Sequence, residues 1–349
     1  MPALPGRAVY AAFASATITI MLEQDYRNVS AWLEECQRPL LLTHVRPDGD
    51  ALGSAGALAH MLRRGGSEPQ IALFNPVPRR YSFLEEIERW HQWETSHEAL
   101  CDSCDAVIIV DTCALAQLEP ATAFLQSAPR TLVIDHHATH DPIGTRSQDL
   151  RLFDETACAA SLIVAEWIDS TAIETDAELA TMLFTGIATD SGWFRFSNTD
   201  ARALGMAATL VEAGAEPNRL YSLIHEREPL EKLRLIARVL QKMELHADGR
   251  LAVMFVRPGD FEASGADATM TDDLVNEAAR LASVEATILL TQIDDQSLRV
   301  NFRSKKMLDV SELARRFGGG GHARAAGARL QGDWDYVVPR LIAETIEAM

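Results

Sequence analysis

The residues best suited to chemistry in this 349-residue chain lie in a few short stretches. The densest is Thr43-His44-Val45-Arg46-Pro47-Asp48-Gly49-Asp50, where one imidazole and two carboxylates follow an apolar run and precede a helix-like one. Pro47 fixes the approach of the backbone, and Gly49 permits a tight turn between the two acids. Asp48 and Asp50 are too close to act as a water-separated acid–base pair, but they suit ligands to adjacent metals. The mixed nitrogen and oxygen set fits Mn²⁺, Mg²⁺, Fe²⁺ or Zn²⁺, with Mn²⁺ preferred where carboxylates dominate. One of the acids can cap the following helix, yet a cap requires neither the second acid nor His44.

Further acids and histidines sit where buried elements end. The run Val107–Val110 ends in Asp111, and Leu132–Ile134 ends in Asp135-His136-His137. Side chains of adjacent residues diverge, so one histidine can ligate a metal while the other faces a phosphate, with Asp135 placed to orient a histidine. Thr189-Asp190 closes a helix-like stretch and enters the turn at Ser191-Gly192. A strand-terminal or turn aspartate is common by itself; these gain meaning only if one sheet edge gathers them. Near the C-terminus, Gly318-Gly319-Gly320-Gly321-His322 exposes a run of backbone N–H groups before a helix-like segment from Ala323, which suits a phosphate cradle. Arg303 and Arg324 would complete an anion clamp.

The elements needed to position these residues alternate. Short apolar runs at Leu40–Thr43, Ile71–Phe74, Ala106–Val110 and Thr131–Ile134 read as buried strands. Helical patterns at Val29–Cys36, Ala51–Arg64, Ser161–Ile168, Ala177–Ala188 and Ala201–Ala213 flank them. This is an α/β pattern, implying a doubly wound, mostly parallel sheet. Ligands of such sheets bind at the carboxyl ends of the strands. A long amphipathic helix over Leu230–Leu245 reads as a linker. Strands at Leu251–Val256, Ala286–Gln292 and Leu298–Arg303 follow, with helices at Thr271–Leu281, Val310–Phe317 and from Tyr336, and suggest a smaller α/β domain. The expected division is a leader over 1–21, a metal-binding domain over 22–210, a helical linker over 211–245 and a second domain over 246–349.

The net charge of −18 argues against a protein that coats long duplex DNA. It is unevenly spread: Arg299, Arg303, Lys305, Lys306, Arg315, Arg316, Arg324 and Arg329 are opposed only by Asp309 and Glu312 within their segment. That basic island suits an anion, although a solvated face has the same composition. Five scattered cysteines, Cys36, Cys101, Cys104, Cys113 and Cys158, form no disulfide framework and point to the reducing cytoplasm. The lone Cys101-x-x-Cys104 pair lacks the partners of a zinc site. Ala8–Leu22 carries no charge and follows Arg7, which faintly resembles a signal peptide, but it is too short to span a membrane; a start at Met21 or an unstructured leader is the favoured account.

Taken in order, His44-x-x-Pro47-Asp48-Gly49-Asp50, Asp111, Asp135-His136-His137 and Thr189-Asp190 resemble the motifs of the DHH phosphoesterases. The Arg303-Ser304-Lys305 and Gly-Gly-Gly-His segments resemble the DHH-associated C-terminal domain. The resemblance runs from about Met21 to the end and departs mildly, with Ser191 where Thr is common. The two-domain layout is most similar to the branch that degrades very short RNA and dephosphorylates adenosine 3′,5′-bisphosphate. It lacks the additional domains of RecJ-type exonucleases. The resemblance implies two divalent cations, Mn²⁺ by preference. His44, Asp48 and Asp111 would hold one; Asp50, Asp111, His136 and Asp190 the other, with Asp111 as bridge and a hydroxide attacking phosphorus. His137 would contact the phosphate, and Arg303, Gly319, Gly320, Gly321 and His322 would hold the far end of the substrate. The implied partners are short RNA or small nucleotide phosphates, with no long duplex DNA and no membrane; a homodimer stays open. Rival activities are a cyclic- or linear-dinucleotide phosphodiesterase and an exopolyphosphatase. A rival of another class is a non-catalytic nucleotide-binding regulator.

Overall fold

The computed structural model describes residues 16–349 except 172, 272 and 295. The chain divides into two compact units, Met1–Arg227 and Glu228–Met349. The first 15 residues of the expected leader lie outside the described residues, and Ala16 opens the first helix.

The first unit runs α1 (Ala16–Glu34), β1 (Pro39–Leu42), α2 (Gly49–Arg64), β2 (Gln70–Leu73), β3 (Trp90–Gln92), α3 (Trp93–Ser103), β4 (Ala106–Val110), α4 (Thr122–Leu125), β5 (Thr131–Asp135), β6 (Leu150–Phe153), α5 (Ala160–Asp169), α6 (Ala177–Asp190), α7 (Ala201–Glu212) and α8 (Pro217–His225). Its six strands are all parallel, in the order β3-β2-β1-β4-β5-β6. Strands β1, β4 and β5 are buried along their whole length, which explains their continuous apolar sequences: side chains on both faces must be covered. Leu41, Ile108 and Ile134 pack with Leu52 of α2 and Leu183 of α6, while Leu40, Ile109 and Val133 pack with Trp93 and Leu118 on the opposite face. The chain order reverses between β1 and β4, the point where open α/β sheets leave a crevice.

Helices α2 and α6 approach unusually closely. A Cβ at Gly53 would lie 2.5 Å from Met182 O, and one at Gly49 would lie 2.3 Å from Thr189 Oγ1. Glycine is therefore required by space, and the contact carries the N-terminus of α2 to the C-terminus of α6.

The second unit contains α9 (Leu230–Gln241), β7 (Glu244–His246), β8 (Leu251–Val256), α10 (Pro258–Ser264), β9 (Ala286–Gln292), β10 (Ser297–Ser304), α11 (Val310–Arg316), β11 (Gly320–His322), β12 (Ala325–Gln331) and α12 (Trp334–Ala348). Its sheet order is β11-β12-β10-β9-β8-β7, antiparallel except for β8 against β9. The segment 211–245, read from sequence as a linker, is divided. Leu220 and Ile224 of α8 belong to the core of the first unit, whereas Leu235 and Val239 of α9 belong to a core of the second. The helix expected to reach Leu245 stops at Gln241, and β7 begins at Glu244.

Two other expectations fail. Instead of a helix over Thr271–Leu281 there are short 3₁₀ turns at Ala268–Thr271, Leu274–Asn276 and Ala278–Arg280. Asp273, in the left-handed region at φ 63°, breaks the run, and Thr287 Oγ1 holds Val275 O at 3.0 Å. The helix-like segment from Ala323 is β12. Its alanines favour helix locally, but Ala326, Ala328 and Leu330 alternate into the core, and pairing with β10 overrides propensity.

A buried acid ties the starts of β5 and β6 together. Asp149 accepts from Thr131 N at 2.8 Å, Arg146 N at 2.9 Å and Arg146 Nε at 2.9 Å. Burial opposes its charge, but these donors hold the carboxyl below its ordinary value. A depressed carboxyl stabilises the fold above the unfolded value of about 3.9, and that contribution is lost as the pH falls through the folded value. Asp149→Asn is expected to cost about 1–3 kcal/mol at pH 7 and measurably less near pH 3, by urea denaturation. An equal cost at both pH values would rule out the charge as its origin.

Candidate metal centre

Three adjacent strands deliver the first candidate ligands. His44 lies two residues beyond β1, Asp111 follows β4 directly and His136 follows β5 directly. Helix α2 supplies two acids from its start: Asp48 is the N-cap, with Oδ1 accepting from Asp50 N at 3.0 Å and Ala51 N at 3.1 Å, and Asp50 lies in the first turn. Asp190 is the last residue of α6. Of the two acids either of which could have capped the helix, Asp48 does so, and it also takes a place in the acidic cluster.

The six side chains form two triads sharing a wall. Asp48, His44 and Asp111 make one group, and Asp50, His136 and Asp190 another, each with ligand atoms within 4.8 Å of one another. Asp111 faces both: Oδ2 lies 3.3 Å from His44 Nε2, and Oδ1 lies 3.4 Å from His136 Nε2. His136 Nε2 is also 3.6 Å from Asp190 Oδ2 and 4.0 Å from Asp50 Oδ2. Each imidazole is turned by its other nitrogen. His44 Nδ1 lies 2.9 Å from Val45 O, and His136 Nδ1 lies 3.3 Å from Ala157 O. A proton on each Nδ1 leaves the Nε2 lone pair facing the cluster, the arrangement that metal-ligating histidines use.

Asp50 is clamped from outside the motifs. Its Oδ2 accepts from Ala160 N at 2.6 Å and its Oδ1 from Ser161 N at 2.8 Å, both at the N-terminus of α5, where the helix dipole favours an anion. Asp111 adopts a left-handed backbone conformation, φ 60°, while its N–H donates to Ile134 O at 3.0 Å. For a non-glycine residue this conformation is strained, and surrounding structure must enforce it.

The electrostatics describe a site with excess negative charge. Burial, together with Asp111 and Asp190, pushes Asp50 well above the usual carboxylate range. Burial raises Asp190 to about 7 against the pull of His136. Burial also opposes charge on the imidazoles, but Asp111 and Asp48 outweigh it and raise His44 to about 11, and Asp111 and Asp50 raise His136 to about 10. Burial likewise disfavours the Asp111 carboxylate, yet His136 and His44 hold it below the usual range. Four carboxylates and two inward imidazoles therefore compete for protons that a cation would displace. Oxygen-rich, nitrogen-containing and partly open, the set fits divalent cations.

Asp135 orients His137 rather than His136: its Oδ1 lies 2.8 Å from His137 Nδ1 and also accepts from His136 N at 2.8 Å. Hydrogen bonding to Asp135, opposed by burial, raises His137 above its ordinary value. His137 also lies in a group with Asp111 and His136. In the second unit, the glycine run forms an edge strand rather than a loop opening a helix. Gly321 has φ 141°, and a Cβ there would lie 2.5 Å from Ala325 O. Arg303 and His322 both pair with Ala325, so the two fall on one row across β10, β12 and β11. Arg303 is half-buried, and Nη1 donates to Phe302 O at 3.0 Å. Gly319, Gly320 and Gly321 lie along the outer strand or just before it. The α5 amides, the Ala157 carbonyl and the glycine contacts of α2 carry no motif; only the spacing Gly49, Gly53, Gly56 hints at a close helix contact. All five cysteines are free, and among the described residues no helix is long and apolar enough to cross a membrane.

With this geometry established, residues 39–187 match the DHH family, N-terminal domain, and residues 248–349 match the DHHA1 domain. The chain belongs to the DHH family, a family of metal-dependent phosphoesterases. Among similar proteins, the bifunctional oligoribonuclease and PAP phosphatase NrnA of Thermus thermophilus is 30% identical, over 93% of this chain and 95% of the relative. The NrnA protein of Bacillus subtilis, with the same description, is 30% identical over 85% and 90%. An exopolyphosphatase-related protein from Bacteroides fragilis shares the fold, with TM-score 0.86 and 21% identity over 93% of this chain and 96% of that one.

Proposed function

We propose that this chain hydrolyses short oligoribonucleotides to nucleoside 5′-monophosphates and converts adenosine 3′,5′-bisphosphate to AMP, using two Mn²⁺ ions. The observation that carries the reading is Asp111, which turns one carboxylate oxygen toward each of two triads. His44, Asp48 and Asp111 would hold one cation; Asp50, Asp111, His136 and Asp190 the other. When bound, such a pair lowers the pKa of water and neutralises charge on the reacting phosphoryl oxygens. The chain's own groups do the remaining work. Asp111 fixes the spacing between the triads, and the α5 amides hold Asp50 against displacement. Asp135 holds His137 with a proton on Nδ1 and favours its charged form, so that His137 stabilises negative charge on a non-bridging oxygen. Arg303, Gly319, Gly320, Gly321 and His322 are the substrate-binding residues assigned to the second unit. The relatives' names and the shared domain pair support this substrate class. The reading extends to a cytoplasmic enzyme without long-DNA substrates that is able to act as a homodimer.

The test is a side-by-side assay in Mn²⁺ buffer of adenosine 3′,5′-bisphosphate, RNAs of increasing length, pGpG, cyclic-di-AMP and polyphosphate. Turnover should be fastest on the bisphosphate and the shortest RNAs and fall with length. Turnover confined to polyphosphate or cyclic dinucleotides would overturn the assignment.

A further inference from the structure

The segment 154–159, between β6 and α5, contributes no side chain to the metal centre but touches it twice. Ala157 O faces His136 Nδ1, and the chain leads directly into the α5 amides that clamp Asp50. No helix or strand holds this segment, which makes one turn closed by Ala157 N donating to Asp154 O at 3.1 Å, so side chains must help to fix its carbonyl and its exit direction.

Two residues beyond α6 do so from different positions. Arg202 of α7 forms a fork on Glu166 of α5, with Nε to Oε1 at 2.9 Å and Nη2 to Oε2 at 2.6 Å. The same guanidinium reaches Asp154 Oδ2 at 2.8 Å and Thr156 Oγ1 at 3.0 Å. Asp154 in turn accepts from Thr156 N at 2.9 Å, and its own N–H donates to Asp135 O at 3.2 Å. Asn198 closes the other end, with Nδ2 3.2 Å from Cys158 O and 3.4 Å from Asp190 O. One amide group thus joins the segment to the backbone of a ligand. A planar guanidinium satisfies several acceptors at fixed angles, which lysine does not.

We propose that Arg202 and Asn198 are positioning residues for the Asp50–His136–Asp190 half of the metal centre, acting through the 154–159 segment. The inference rests on the reading of that cluster as a cation site. It predicts asymmetry: the His44–Asp48–Asp111 half shares no hydrogen bond or ion pair with the segment and should be spared.

The test is titration of metal-free protein with Mn²⁺, by calorimetry and by electron paramagnetic resonance, for wild type, Arg202→Met, Asn198→Ala and Arg146→Met. The last variant breaks a comparable ion pair, with buried Asp149, that touches neither the cluster nor the segment. Arg202→Met and Asn198→Ala should each weaken one of two cation sites by about ten- to one-hundred-fold, the usual range for outer-shell partners, with the other unchanged. Arg146→Met should lower thermal stability and leave both affinities intact. Asn198→Ala leaves every charge in place, so it keeps the test decisive if Arg202→Met does not fold. Wild-type affinity at both sites in a folded variant would make the network merely structural. A wild-type protein that binds no divalent cation would instead overturn the reading of the cluster, and this inference with it.

Discussion

Asp111→Asn should lower phosphoesterase turnover in Mn²⁺ buffer by about three orders of magnitude or more, because in the proposed two-cation mechanism the cations supply several kcal/mol of transition-state stabilisation and each 1.4 kcal/mol is tenfold. The substitution is nearly isosteric. It leaves one carbonyl oxygen where two charged oxygens faced His44 and His136, so one histidine meets an amide nitrogen instead of an acceptor. Asparagine tolerates the left-handed conformation at position 111 better than most residues, so the fold should survive. The diagnostic is therefore a pair of measurements. Melting of the metal-free variant should fall below that of wild type, because His44 and His136 lose the buried charge they pair with, while the rise in Tm on adding Mn²⁺, which reports binding to the folded state, should shrink sharply. Wild-type turnover in the purified variant would remove Asp111 from the mechanism.

Gly186→Ala should be almost as damaging without altering any ligand. Its Cβ would lie 1.9 Å from Ser161 Oγ, 2.6 Å from Ser161 Cβ and 2.8 Å from Asp50 Oδ1. Helix α6 must retreat or α5 must shift, and overpacking of this kind costs about 1–3 kcal/mol. Asp190 lies about one turn further along α6, and Asp50 Oδ1 is itself one of the atoms struck, so the displacement falls on the proposed ligands. We expect Tm to drop by several degrees and turnover to fall at least about a hundred-fold, as misplacement near 1 Å can cost that much. Ser161→Gly in the same chain removes two of the three contacts while keeping the backbone N–H that Asp50 accepts, and should recover part of both losses. No recovery in the double variant would show that the clash is not the cause.

Sequence reading succeeded where burial leaves a one-dimensional trace. The runs ending at Leu42, Val110 and Ile134 are apolar throughout because both faces of β1, β4 and β5 are covered, and the candidate ligands stand just beyond their ends. It failed where neighbours decide. β3, Trp90-His91-Gln92, is half-exposed at the sheet edge and has no apolar pattern to detect. Ala325–Gln331 is alanine-rich and still a strand, because β10 offers it a pairing edge. The second layer of the centre was equally hidden. A backbone carbonyl at Ala157 and amides at Ala160 and Ser161 have no residue signature, and Arg202 is a helical arginine like any other until Asp154 and Glu166 are brought beside it.

Because β1 and β4 are neighbours in space but separated in sequence by β2 and β3, the metal centre is a late product of folding. A growing chain emerges N-terminus first, and His44, Asp48 and Asp50 appear long before β4 can fill the place beside β1. Joining such distant segments carries a loop-closure cost and slows folding. Until α6 has formed, Asp190 is missing and the second triad is open. A cation therefore meets at most the His44–Asp48–Asp111 triad on a partial chain, and the paired arrangement only once α6 is in place. The paired site acts on the finished domain, where binding to the native state alone shifts the equilibrium toward that state; for contacts that form after the rate-limiting step, the effect is to slow unfolding rather than hasten folding. Metal supply should set how long this domain persists, not how quickly it is made.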